Sequence, residues 1–111
     1  MDAKLKEEWV KALRSETYQQ GIGALIKGGV DQDFFCCLGV LCDVAGTDWV
    51  DKRMEHGILG EIEVRSEGSS YLSAAMLSRI GLTDTSQRTL AAMNDDGETF
   101  KQIADYIEQN L

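Results

Sequence analysis

The sequence predicts a single small α+β domain over residues 1–111, mostly helical, with a central apolar helix and a small antiparallel sheet. Three observations lead there. Apolar residues at helical spacing recur near both ends, at Leu5, Trp9, Ala12 and Leu13 and again at Phe100, Ile103, Ala104, Ile107 and Leu111. The run Phe34-Phe35-Cys36-Cys37-Leu38-Gly39-Val40-Leu41-Cys42 is apolar throughout, as a helix buried on all sides must be. Alternation of Ile62 and Val64 with Glu61, Glu63 and Arg65 has the period of a half-buried strand. With 111 residues, 43% of them hydrophobic, the chain can build one modest core and has little room for a second.

Taken in order, Asp2 is an N-cap for an amphipathic helix that ends around Thr17, with Glu7 and Lys11 one turn apart on its surface. Gly21-Ile22-Gly23-Ala24-Leu25-Ile26-Lys27 then places Ile22, Ala24 and Ile26 on one face of an extended segment, followed by a Gly28-Gly29 turn. The central helix is expected from Asp33 to Gly46, with Asp43 its only interior polar side chain. Gly39 there would admit a close neighbour, and Gly46 would be its left-handed C-cap. A polar linker over 47–57 leads to the strand at 58–65, a Ser66-Glu67-Gly68-Ser69 turn, and a returning strand opened by Tyr71 and Leu72. Ser73 and Gly81 bracket a short helix, Asp84 with Gln87 starts another through Met93, and Thr99 with Gln102 forms a capping box for the last.

Charge narrows the function classes. Nineteen acidic against eleven basic residues give a net charge of -8, which disfavours direct nucleic-acid binding, since that affinity rests largely on Lys and Arg. The acidic residues are spread evenly, while Lys4, Lys6, Lys11, Arg14 and Lys27 gather in the first quarter, and both facts count against acidic mimicry of DNA. The charged N-terminal residues are unlike a signal peptide, and no apolar run approaches membrane-spanning length, so no membrane association and a cytoplasmic location are expected.

The cysteines look chemical at first sight. Structural zinc needs paired knuckles and four converging ligands, whereas adjacent Cys36 and Cys37 point in different directions on a helix and Cys42 stands alone. An odd count also argues against a disulfide framework, so the three are read as buried small hydrophobes with no metal and no cofactor. A cysteine nucleophile would need His56, the only histidine, set in a loop-like Glu55-His56-Gly57 context. Glu61 and Glu63 would stand about 7 Å apart on one strand face, compatible with paired carboxylate chemistry but equally with a solvated outer face.

Phosphate and calcium motifs fail on inspection. Ile26 stands where a third dinucleotide-binding glycine belongs, and Gly29 replaces the P-loop lysine. Aligning Asn94-Asp95-Asp96-Gly97 to a calcium loop puts Ala92 and Ile103 at ligand positions, so a helix-connecting turn is the better reading. The polar groups left as binding candidates are Glu61, Glu63, Asp95, Asp96 and His56, with no catalytic residue assigned.

Three stretches together carry a resemblance: Trp9-Val10-Lys11-Ala12-Leu13-Arg14-Ser15 with Tyr18-Gln19-Gln20-Gly21, then Phe35-Cys36-Cys37-Leu38-Gly39-Val40-Leu41-Cys42-Asp43, then Asn94-Asp95-Asp96-Gly97 with Phe100 and Ile103-Ala104-Asp105. They resemble a family of small uncharacterised proteins encoded by bacteriophages and prophages. Where that family often carries a basic residue, this chain has Ile22. The resemblance implies a bacterial host cytoplasm as the site of action and brings no functional residues with it. The expected function is that of a non-enzymatic phage accessory protein binding a host or phage protein, with counter-defence among its uses. The alternatives are a nucleotide-sequestering module or small hydrolase using Glu61, Glu63 and His56, and an acidic DNA mimic; a homodimer is also open.

Overall fold

In the computed structural model, which describes residues 1–28, 32–45 and 71–111, five helices and a three-stranded sheet make up the α+β architecture. Helix α1 (Ala3–Arg14) begins where the sequence places its cap: Asp2 Oδ2 accepts the Leu5 N–H at 2.8 Å. It turns Trp9, Val10 and Leu13 inward.

The three strands are β1 (Gln19–Gln20), β2 (Ile26–Gly28) and β3 (Asp33–Phe35), in the order β1-β3-β2. β2 pairs with β3 antiparallel, Ile26 opposite Phe35 and Gly28 opposite Asp33, while β1 pairs with β3 parallel, so the sheet is mixed. The central helix α2 therefore runs over Cys37–Val44 rather than from Asp33. An apolar run of this length suits a strand between two neighbours as well as a buried helix, and the pattern alone does not separate them. Here the backbone of Phe34 and Phe35 is paired on both sides, and Cys36, extended at φ -84° and ψ 173°, makes the change to helix.

The expected face of Ile22, Ala24 and Ile26 is also corrected. Gly23 takes φ +89°, which breaks the alternation; Ile22 is 54% exposed, whereas Ala24, Leu25 and Ile26 are all buried. Gly29, Gly46, the 47–57 linker, the 58–65 strand and the 66–69 turn lie outside the described residues.

Tyr71 and Leu72 do not open a strand. Instead the buried Gln87 amide pairs with Leu72, its Oε1 accepting the Leu72 N–H at 2.9 Å and its Nε2 donating to the Leu72 carbonyl at 3.4 Å, so one side chain replaces a partner strand. Helix α3 (Ala74–Ile80) has Ser73 as N-cap and Gly81, at φ +79°, as left-handed C-cap. Helix α4 (Asp84–Asp95) is capped by Thr83, with Asp84 in its first turn, and runs two residues past Met93. Helix α5 (Phe100–Asn110) carries the full Thr99–Gln102 capping box.

These elements meet on one apolar core. α1 packs on α5 and α2, and α2 packs on α4, so every residue from Cys37 to Cys42 is buried. Two contacts fix α2 in place. The Trp9 indole N–H donates to the Cys37 carbonyl at 2.9 Å, and a Cβ at Gly39 would collide with the Leu25 carbonyl oxygen, one residue before β2, so this backbone approach requires glycine. Among the described residues, no helix is long and apolar enough to cross a membrane.

Candidate functional site

Of the five binding candidates from the sequence, Asp95 and Asp96 fall on described residues, and His56, Glu61 and Glu63 lie outside them. Asp95 is the last residue of α4 and Asp96 its C-cap. Gly97, at φ +95°, donates to the Asn94 carbonyl at 3.2 Å, and Glu98 donates to the Met93 carbonyl at 3.1 Å, which is the closure of a left-handed helix C-cap. The turn connects helices, as the sequence indicates. Asp95 Oδ1 accepts the Gly23 N–H at 3.1 Å, while the Asp96 side chain is exposed.

The neighbour that organises this corner is Asn94, which the sequence reads as part of a helix-connecting turn and does not single out as a binding candidate. It is fully buried; its Oδ1 accepts from the Cys37 N–H at 3.2 Å and from Gln20 Nε2 at 2.9 Å, and its Nδ2 donates to the Gly21 carbonyl at 2.8 Å. Cys36 does not cap α2 with its own side chain, so Asn94 supplies the acceptor from α4. A small cavity of about 90 Å³, bounded by Gly23, Ala24, Cys36, Tyr71, Ala91 and Asp95, adjoins it.

The thiols are poorly suited to chemistry. All three are buried and none is in a disulfide, burial pushes the Cys36 and Cys37 thiols up, and Cys37 Sγ lies 3.6 Å from the Leu90 carbonyl. Tyr18 donates its O–H to the Asp43 carboxylate and sets its ring edge-on to Phe35, centroids 5.0 Å apart. Burial first, and then that hydrogen bond, push its pKa up to about 12, so it stays protonated and joins the sheet to the last turn of α2.

A different arrangement offers room for a ligand. A cleft of about 410 Å³ opens between three helices: Leu41, Cys42 and Val44 of α2 with its C-cap Ala45 form the floor, Asp2, Leu5 and Glu8 one wall, and Met76, Arg79 and Ile80 of α3 the other. Leu5, Met76, Ile80 and Val44 are only half-buried, so apolar surface remains in contact with solvent there. A larger depression of about 710 Å³ beside α1 and Glu108 of α5 is more open, and although its exposed lining is mostly apolar, charged side chains rim it. Its Arg14 is already bound to Asp105 at 2.6 Å and Glu108 at 3.1 Å. Among the described residues no group of three or more His, Cys, Asp or Glu side chains converges in a way that could hold a metal ion.

No curated protein and no solved structure matches the chain. A family model described as a domain of unknown function (DUF8296) matches residues 1–67, more than half of the chain, and the protein belongs to that family.

Proposed function

We propose that this protein is a non-enzymatic binding module that engages a host or phage protein. The observation that carries the reading is the cleft between α1, α2 and α3: a concavity of about 410 Å³ whose exposed lining is about equally polar and apolar, with charged residues on both walls around the half-buried Leu5, Val44, Met76 and Ile80. The chemistry-bearing side chains elsewhere support it indirectly. Asn94 and Asp95 are engaged by backbone groups, and the thiols are buried. The resemblance to phage and prophage proteins supports a bacterial cytoplasm as the setting and a host protein as the partner.

The test is capture with the tagged full chain from lysates of several bacterial hosts, read by mass spectrometry, beside a Met76→Lys variant that places a charge on the apolar wall. A stoichiometric partner retained by the native chain and released by Met76→Lys is the expected result. Absence of any such partner across the hosts overturns the reading. The volume of the cleft also falls within the range of small-molecule sites, which favours a sequestering module as the second reading. Native mass spectrometry of the purified chain separates the two, because a sequestering module would carry a retained small mass.

A further inference from the structure

Building on the protein-binding reading, we propose that the occupant of the α1–α2–α3 cleft is an amphipathic helix whose apolar stripe is flanked by basic residues on one side and acidic residues on the other. Three features of the cleft specify it. Although the exposed lining as a whole is about half polar, the half-buried Leu5, Val44, Met76 and Ile80 leave apolar surface open between the charged walls, so the inserted side chains are apolar. The wall charges are segregated, with Glu8 of α1 and its N-cap Asp2 on one side and Arg79 of α3 on the other. Glu8 and Arg79 are exposed and form no ion pair with each other or with any other described residue, so both are free to meet a partner.

Shape decides between a partner and a second copy. A symmetric dimer would bring the same concave patch against itself and leave a hollow between the two floors. A convex helix face fills it. The seven residues of α3 span about 10 Å, which matches two turns of a docked helix and hence two or three apolar anchors at i, i+3, i+4 or i+7 spacing. Such a helix lies in the direction that turns its basic flank to the α1 wall and its acidic flank to Arg79.

Two synthetic fluorescent helical peptides of about 14 residues test this by anisotropy. Both carry a leucine stripe; one has a Lys flank and a Glu flank, the other has Lys on both flanks. Measurements are made at about 0.15 M salt, where the screening length of about 8 Å leaves mainly the adjacent wall charges to be read. The native chain is expected to bind the mixed peptide roughly fivefold more tightly than the all-Lys peptide. Arg79→Glu, an exposed change that makes both walls acidic, should invert that ranking. Met76→Lys should weaken both peptides, with circular dichroism used to confirm that each variant is folded.

Failure of the native chain to bind either peptide, or an unchanged ranking in Arg79→Glu, overturns the proposal. So does self-association of the native chain that Arg79→Glu abolishes, because it would identify a second copy as the occupant. Should lysate capture give a partner that Met76→Lys releases while the peptides show no ranking, protein binding stands and the mixed-charge helix falls.

Discussion

Asn94 concentrates at one side chain the problem of closing a small core around a buried helix N-terminus. Replacing it with alanine strands the buried Cys37 N–H, which costs on the order of 1–3 kcal/mol, and takes the donor from the part-buried Gly21 carbonyl as well. Asn94→Ala should therefore lower the urea midpoint severely. Asn94→Asp, which keeps the acceptor for Cys37 but loses the donor to Gly21, should fall between it and the native chain. An Asn94→Ala protein of native stability would remove the clamp from the account. Tyr18 makes a prediction in pH. Its folded pKa of about 12 lies above the ordinary value of about 10, so the folded state holds the proton that the unfolded chain releases. The stability from this group is fully present below about pH 10 and is lost as pH rises through about 12. Urea melts between those limits should show a falling midpoint, and Tyr18→Phe should flatten that part of the slope; an equally steep slope in the variant would assign the alkaline loss to other groups.

Among the elements, α2 tolerates the least change. Adding a Cβ at Gly39 drives it into the Leu25 carbonyl, and backbone must move. Gly39→Ala should cost about 3 kcal/mol or more, against the usual gain of glycine-to-alanine changes within helices, and a stabilised variant would show that the Leu25 backbone does not press on α2. The sequence exposes this glycine because it sits inside an apolar run, and it exposes the helices because their caps are written locally: Asp2, Ser73 with Gly81, and Thr99 with Gln102 each act within one turn. The sheet is less legible. β1 is two glutamines with no apolar alternation, and β3 hides in the run that also supplies α2. Gln87 and Asn94 act on backbone groups far along the chain, and their roles depend on where those groups fall in space. The cleft is legible least of all, because Leu5, Met76 and Ile80 have ordinary core spacing on their own helices and reveal a shared surface only once three helices meet. Asp95 and Asp96 were visible as a polar turn, and only the Gly23 hydrogen bond shows what Asp95 is engaged in.

For the molecule as a whole, the family match and the folding unit differ in extent. The match covers residues 1–67, which contain α1, the sheet and α2, yet the core they contribute to is completed by Leu72, Leu77, Leu82, Leu90, Phe100, Ile103, Ala104 and Ile107. α1 lays Trp9, Val10 and Leu13 against α5 and α2, and α2 rests on α4, so without the later helices the buried faces of both earlier ones would meet water. The same cut removes Asn94 from the start of α2 and Asp105 and Glu108 from Arg14. A fragment of residues 1–67 is therefore expected to show no cooperative thermal transition and to bind an apolar dye, while the full chain unfolds in one step. Adding the complementary 68–111 fragment should restore the transition, because it returns the missing apolar faces and the Asn94 acceptor together. Cooperative unfolding of residues 1–67 alone would mean that the matched region is a domain in its own right and that α3, α4 and α5 are an appendage to it.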